Sequence, residues 1–103
     1  MRLSFPVSRI VEHLLTFGEF ELVEHSSCSW QSATFEGTRH ELTLRYRGEA
    51  DVERGSVMID ALDEELIDVP GHKVTEIRAV RVMQRASPAL LSATMVVQLL
   101  KDG

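Results

Sequence analysis

The chain predicts an α+β fold in which an antiparallel sheet carries two helices on one face. Three observations support this. Residues 41–47 alternate strictly between polar and apolar, as a half-buried strand does, and His40 keeps the apolar phase. Apolar residues recur at helical spacing in two separate stretches. The helix-then-strand pattern also occurs twice in register, because residues 10–35 overlay residues 57–82 without a gap. In that overlay Ile10, Val11, Leu14 and Leu15 fall on Val57, Met58, Ala61 and Leu62. Phe20 and Leu22 fall on Ile67 and Val69, His25 on His72, Trp30 on Ile77, and Phe35 on Val82.

Leu3 and Phe5 alternate with polar neighbours and predict a short first strand. Pro6 suits the first turn of a helix, where its missing N–H costs nothing. The stripe Val7, Ile10, Val11, Leu14 and Leu15 carries that helix to Gly18, which stops it. Phe20 and Leu22 alternate with Glu19, Glu21 and Glu24 as a second strand. The polar run Ser26 to Ser29 predicts a bend or bulge, with extended chain resuming from Trp30 to Phe35. Glu36-Gly37-Thr38 predicts a turn. In the strand that follows, His40, Leu42, Leu44 and Tyr46 share one face; Arg39, Glu41, Thr43, Arg45 and Arg47 share the other.

Asp51 and Ser56 are candidate caps for the second helix, and Gly55 weakens its start. Asp60, Asp63 and Glu64 predict an acidic outer face. Leu66 to Val69 predicts a short extended stretch, and Pro70-Gly71 the centre of a type II turn. His72 to Gln84 is rich in β-branched residues but changes phase, which predicts a bulge near Arg78. Ser87-Pro88 resembles a helix start, yet Thr94, Val96 and Val97 favour a strand, and the repeat requires one there. Its apolar residues of both parities predict a central strand covered on both faces.

The expected organisation is a single domain over 1–103, with repeat halves 1–48 and 49–103. The order of elements resembles the ferredoxin-like arrangement, or a tandem of strand–helix–strand–strand modules. Such arrangements host many unrelated functions.

The net charge of −5 makes an acidic domain that phosphate backbones and anionic membranes repel, so neither nucleic acid nor a membrane is an expected partner. Cys28 is the only cysteine, which excludes an intrachain disulfide and fits a reducing, cytoplasmic setting. No leader-like segment and no long apolar run is present. Phosphate loops, dinucleotide fingerprints, HExxH and calcium-loop motifs are absent, so no cofactor and no metal is implied.

Candidate chemistry rests on histidines. His25 and His72 occupy equivalent repeat positions and would meet at a cleft between the halves, where imidazoles suit metal binding or acid–base work. His40 shares the apolar face of its strand, while Glu41 points away from it. His13 lies on a polar helix face. Arg39, Arg45 and Arg47 share one sheet face, and Arg78, Arg81 and Arg85 lie on a neighbouring stretch, without the exposed aromatics an RNA-stacking sheet needs.

The expected function is a non-catalytic module that binds a small-molecule ligand or a partner, acting as a homodimer through the uncovered sheet face. The alternative is a small histidine- or metal-dependent enzyme using His25, His40 and His72.

Overall fold

The computed structural model describes residues 3, 5–62 and 67–101. In chain order the elements are α1 (Phe5–Leu15), β1 (Glu21–Gln31), β2 (Glu36–Arg47), α2 (Glu49–Ala61), β3 (His72–Ala86) and β4 (Ala89–Lys101). Helix, strand and strand thus follow one another twice. The four strands make one antiparallel sheet in the order β1-β2-β4-β3. The fold is therefore α+β, and the doubled order is compatible with the tandem reading. Each half contributes a hairpin, and β2 and β4 join the hairpins at the centre.

Among the described residues the strand expected at Leu3 and Phe5 does not form. The helix already begins at Phe5, and Val7, Ile10 and Leu14 bury its stripe completely. Leu15 lies off that stripe and is exposed. The bend expected at Ser26–Ser29 is also absent. Those residues stay in β1 and pair in register with Glu41, His40, Arg39 and Thr38. On an edge strand the backbone ladder holds such small polar residues without help from their side chains. The irregularity falls instead between Leu22 and Glu24.

The turn expected at Glu36-Gly37-Thr38 lies instead at 32–35, so the extended chain expected from Trp30 to Phe35 ends at Gln31. Ser32 N–H donates to Phe35 O at 2.7 Å, and Phe35 N–H donates to Ser32 Oγ at 3.1 Å. Gly37 belongs to β2 because nothing larger fits there: a Cβ would stand 2.2 Å from Leu99 O and 2.6 Å from the Trp30 ring.

Gly48, with φ 88°, precedes α2 in place of the expected Asp51 or Ser56 cap. Its carbonyl accepts from Val52 N–H at 2.9 Å. Asp51 sits in the first turn, where the helix dipole favours a carboxylate, and pairs with Arg54 at 3.2 Å. Gly55 is in the helix interior and rests on the Tyr46 ring. Val52, Gly55, Met58 and Leu62 form the buried face. Val57 was expected on that face but is 57% exposed, since it lies about 200° around the helix from Gly55. Asp60 is exposed as expected, whereas Asp63, Glu64 and Leu66 lie outside the described residues.

Pro70-Gly71 makes the expected turn, with φ 79° at Gly71 and His72 N–H donating to Val69 O at 2.9 Å. β3 shifts register twice, between Val74 and Glu76 and between Ala79 and Arg81, the second shift adjoining the bulge expected near Arg78. The last segment is the central strand β4, paired on both sides, and Ser87-Pro88 closes a hairpin instead of opening a helix. Leu91, Ala93, Met95, Val97 and Leu99 meet Leu42, Leu44 and Tyr46 in the core beneath the helices. Val96, on the opposite face, is also buried. No helix among the described residues is long and apolar enough to cross a membrane.

Candidate functional site

Alternation along β2 puts Thr38 and His40 on the helix-bearing face, in phase with Leu42 and Leu44. Pairing sets Ser29 opposite Thr38, Ser27 opposite His40 and His25 opposite Leu42. His25 therefore lies diagonally across from His40. The two rings stack with centroids 5.4 Å apart and planes 22° apart. His25 Nε2 and His40 Nδ1 are 3.2 Å apart, and His40 Nε2 is 2.9 Å from Thr38 Oγ1. The result is a hydrogen-bonded chain of two imidazoles and one hydroxyl.

Each link holds one proton, and with His40 neutral the chain has two consistent orders. In one, Thr38 O–H donates to His40 Nε2, and His40 Nδ1–H donates to His25 Nε2. In the other, both donations reverse. A second proton on His40 would make it the donor at both links, to His25 Nε2 and to Thr38 Oγ1. His40 is only 4% exposed, and its pKa is held below the ordinary value, first by burial and then by the neighbouring charges of His25 and His72.

His72 opens β3 opposite Lys101. Its Nδ1–H donates to Pro70 O at 3.2 Å, which leaves Nε2 as the acceptor of the neutral ring. His72, Lys101, Thr38, Ser29, Trp30 and Glu36 line a cavity of about 450 Å³ at this end of the sheet. Glu36 Oε1 lies 3.4 Å from Lys101 Nζ, and Gln31 Nε2 donates to Glu36 Oε2 at 3.3 Å. These two contacts, that of Gln31 foremost, hold the Glu36 carboxyl below its usual range. Trp30 Nε1 is buried without a hydrogen-bond partner among the described residues.

The structure joins His25 to His40, while His72 stands at the cavity wall. Thr38 links the two groups, since it ends the histidine chain and lines the cavity. His13 lies on α1 against Phe17, with ring centroids 6.1 Å apart. Among the described residues no three His, Cys, Asp or Glu side chains are placed to hold a metal ion. Cys28 is exposed, and the register sets it on the opposite sheet face with Arg39. Sequence reasoning missed Thr38, Ser29, Trp30 and Lys101. Thr38 was within reach, because it continues the alternation of His40 and Leu42; reading residues 36–38 as a turn hid it.

Comparison with protein-family models, with curated proteins and with solved structures gave no match.

Proposed function

We propose that the protein is a non-catalytic ligand-binding module that works as a homo-oligomer, and that its end cavity takes a small polar molecule bearing a carboxylate. One observation carries the reading: an ammonium, an imidazole and two hydroxyls, from Lys101, His72, Ser29 and Thr38, line the same cavity. Its volume of about 450 Å³ is within the range of small-molecule sites. A carboxylate there would compete with Glu36 for Lys101, and Thr38 and Ser29 would bind a neighbouring hydroxyl. With net charge −5 and one exposed cysteine, the reading keeps a cytoplasmic setting and no nucleic-acid or membrane partner.

Trp30 is the only tryptophan, so its fluorescence reports on the cavity. Titration with acetate, lactate and malate should give a saturable change, strongest for the hydroxy acids. Lys101→Met should abolish it and Thr38→Val should weaken it. No response from any of the three up to about 10 mM would reject the site.

The chain Thr38–His40–His25 favours a second reading, in which Thr38 Oγ1 is a nucleophile, His40 its base and His25 the group that orients the base. An ester probe, p-nitrophenyl acetate, would then show a burst of p-nitrophenolate that Thr38→Val and His40→Gln remove. Absence of the burst rejects this reading and leaves the first intact.

A further inference from the structure

The sheet face opposite the helices is polar; it carries Arg39, Arg45 and Arg47 on β2 and Glu76 on β3, and its two middle rows set carboxylate and guanidinium at opposite sides. The register sets Glu24, Thr43, Thr94 and Arg81 in one row across β1, β2, β4 and β3, and Ser26, Glu41, Val96 and Arg78 in the next. The carboxylates of these rows belong to the β1–β2 hairpin and the guanidinium groups to β3. Glu24 and Arg81 make no ion pair among the described residues. Their row is also the centre of the sheet, where Thr43 and Thr94 Oγ1 atoms lie 3.1 Å apart.

We propose that this face is the homodimer surface, with two copies packed face to face about a twofold axis parallel to the strands. Such an axis exchanges the two sheet edges and preserves position along the strands. It lays β1 of one protomer over β3 of its partner, and the central row falls on itself reversed. Glu24 then faces the partner's Arg81, and Thr43 faces the partner's Thr94. Packed sheets lie about 10 Å apart, a gap that a glutamate and an arginine reaching toward each other can span. Packed sheets also cross at about 30°, which displaces the central row least. A twofold axis across the strands would instead set the β3 arginines over the partner's β3 arginines, and like charges would oppose it.

Area and composition support the same occupant. Four strands of this length present a face of roughly 20 by 40 Å, or about 800 Å². That matches the roughly 800 Å² each partner contributes to a standard stable interface. Leu90, Leu100 and Met83 supply apolar contacts on the face, and Met83 is 68% exposed in the single chain.

This inference rests on the homo-oligomeric part of the proposed function and is independent of the cavity. Its test is sedimentation equilibrium of the full chain, as wild type, as Glu24→Arg, as Arg81→Glu, and with both changes together. The wild type should sediment at twice the chain mass of 11.6 kDa. Either single reversal should raise the dimer Kd at least about tenfold, and the double swap should restore it to within about threefold. Far-UV circular dichroism of all four proteins establishes that each is folded. A wild-type monomer at every concentration overturns both this inference and the homo-oligomeric reading. A wild-type dimer whose Kd ignores the single reversals, or that the double swap does not rescue, overturns only the arrangement proposed here.

Discussion

Replacing Gly55 by alanine sets helix propensity against packing. Inside an isolated helix alanine is better than glycine by about 0.8–1.0 kcal/mol, so residues 49–61 by themselves predict a more stable variant. The structure predicts the opposite. A Cβ at Gly55 would stand 2.7 to 2.8 Å from three carbons of the Tyr46 ring. That ring has no exposed surface and lies against Phe20 with centroids 5.5 Å apart, so it has nowhere to retreat. Overpacking of this kind costs about 1–3 kcal/mol. Setting the propensity gain against it leaves a net loss of about 0–2 kcal/mol, centred near 1. Urea unfolding of wild type and Gly55→Ala, followed by far-UV circular dichroism, measures the difference. In a thermal scan 1 kcal/mol is a fall of about 4–8 °C for a domain of this size. The same substitution in a Tyr46→Leu background should lose its penalty, because the smaller side chain leaves room for the methyl group. A Gly55→Ala protein more stable than wild type by about 0.5 kcal/mol or more would refute the seating of α2 on Tyr46.

Tyr46 Oη is buried without a partner among the described residues, and burial pushes the phenol up to about 12. Tyr46→Phe should therefore be neutral or stabilise the protein by about 1 kcal/mol, and a comparable loss in urea unfolding would contradict the unsatisfied hydroxyl. Leu14 and Leu44 have no exposed surface, so Leu→Ala at either should cost about 2–5 kcal/mol, and losses under about 1 at both would mean the faces are misassigned. The depressed His40 pKa means that the unfolded chain binds protons more readily below pH 6.5 than the folded one does. Stability from this residue is present above pH 6.5 and declines as pH falls through the folded value. Glu36 and Glu76, whose pKa values are lowered from 4.5, act only in more acid solution. Unfolding midpoints between pH 7.5 and 5 should decline for wild type with a steeper slope than for His40→Asn, and equal slopes would remove His40 as the cause.

Legibility followed the strength of the periodic signal. The strand through His40, Leu42, Leu44 and Tyr46 was readable because alternate burial demands alternate chemistry. The strand Ala89–Lys101 was readable against its own helix-like start, since apolar residues of both parities suit a strand covered on two sides. The start of β1 was readable from Phe20 and Leu22, but its serine run was not. An edge strand pairs on one side and buries little, so its side chains carry almost no pattern. Gly37 and Gly55 look like breaks in the sequence, and in the fold they are points of close approach beneath Trp30 and above Tyr46.

The candidate site divides in the same way. The sequence pointed to His25, His40 and His72, and its net charge set the kind of partner expected. By itself it also determined the fold class, the face of β2 and the turn at Pro70-Gly71, because backbone stereochemistry and hydrophobic periodicity act over a few residues. Only the tertiary structure decided that His25 meets His40, that Thr38 joins that pair to a cavity shared with Lys101, and that Glu24 and Arg81 end the same row of the uncovered face. Those relations depend on strand order and on registers shifted by bulges in β1 and β3. A displacement of one residue moves a side chain to the other face, and no local stretch of sequence specifies which neighbour it will find there.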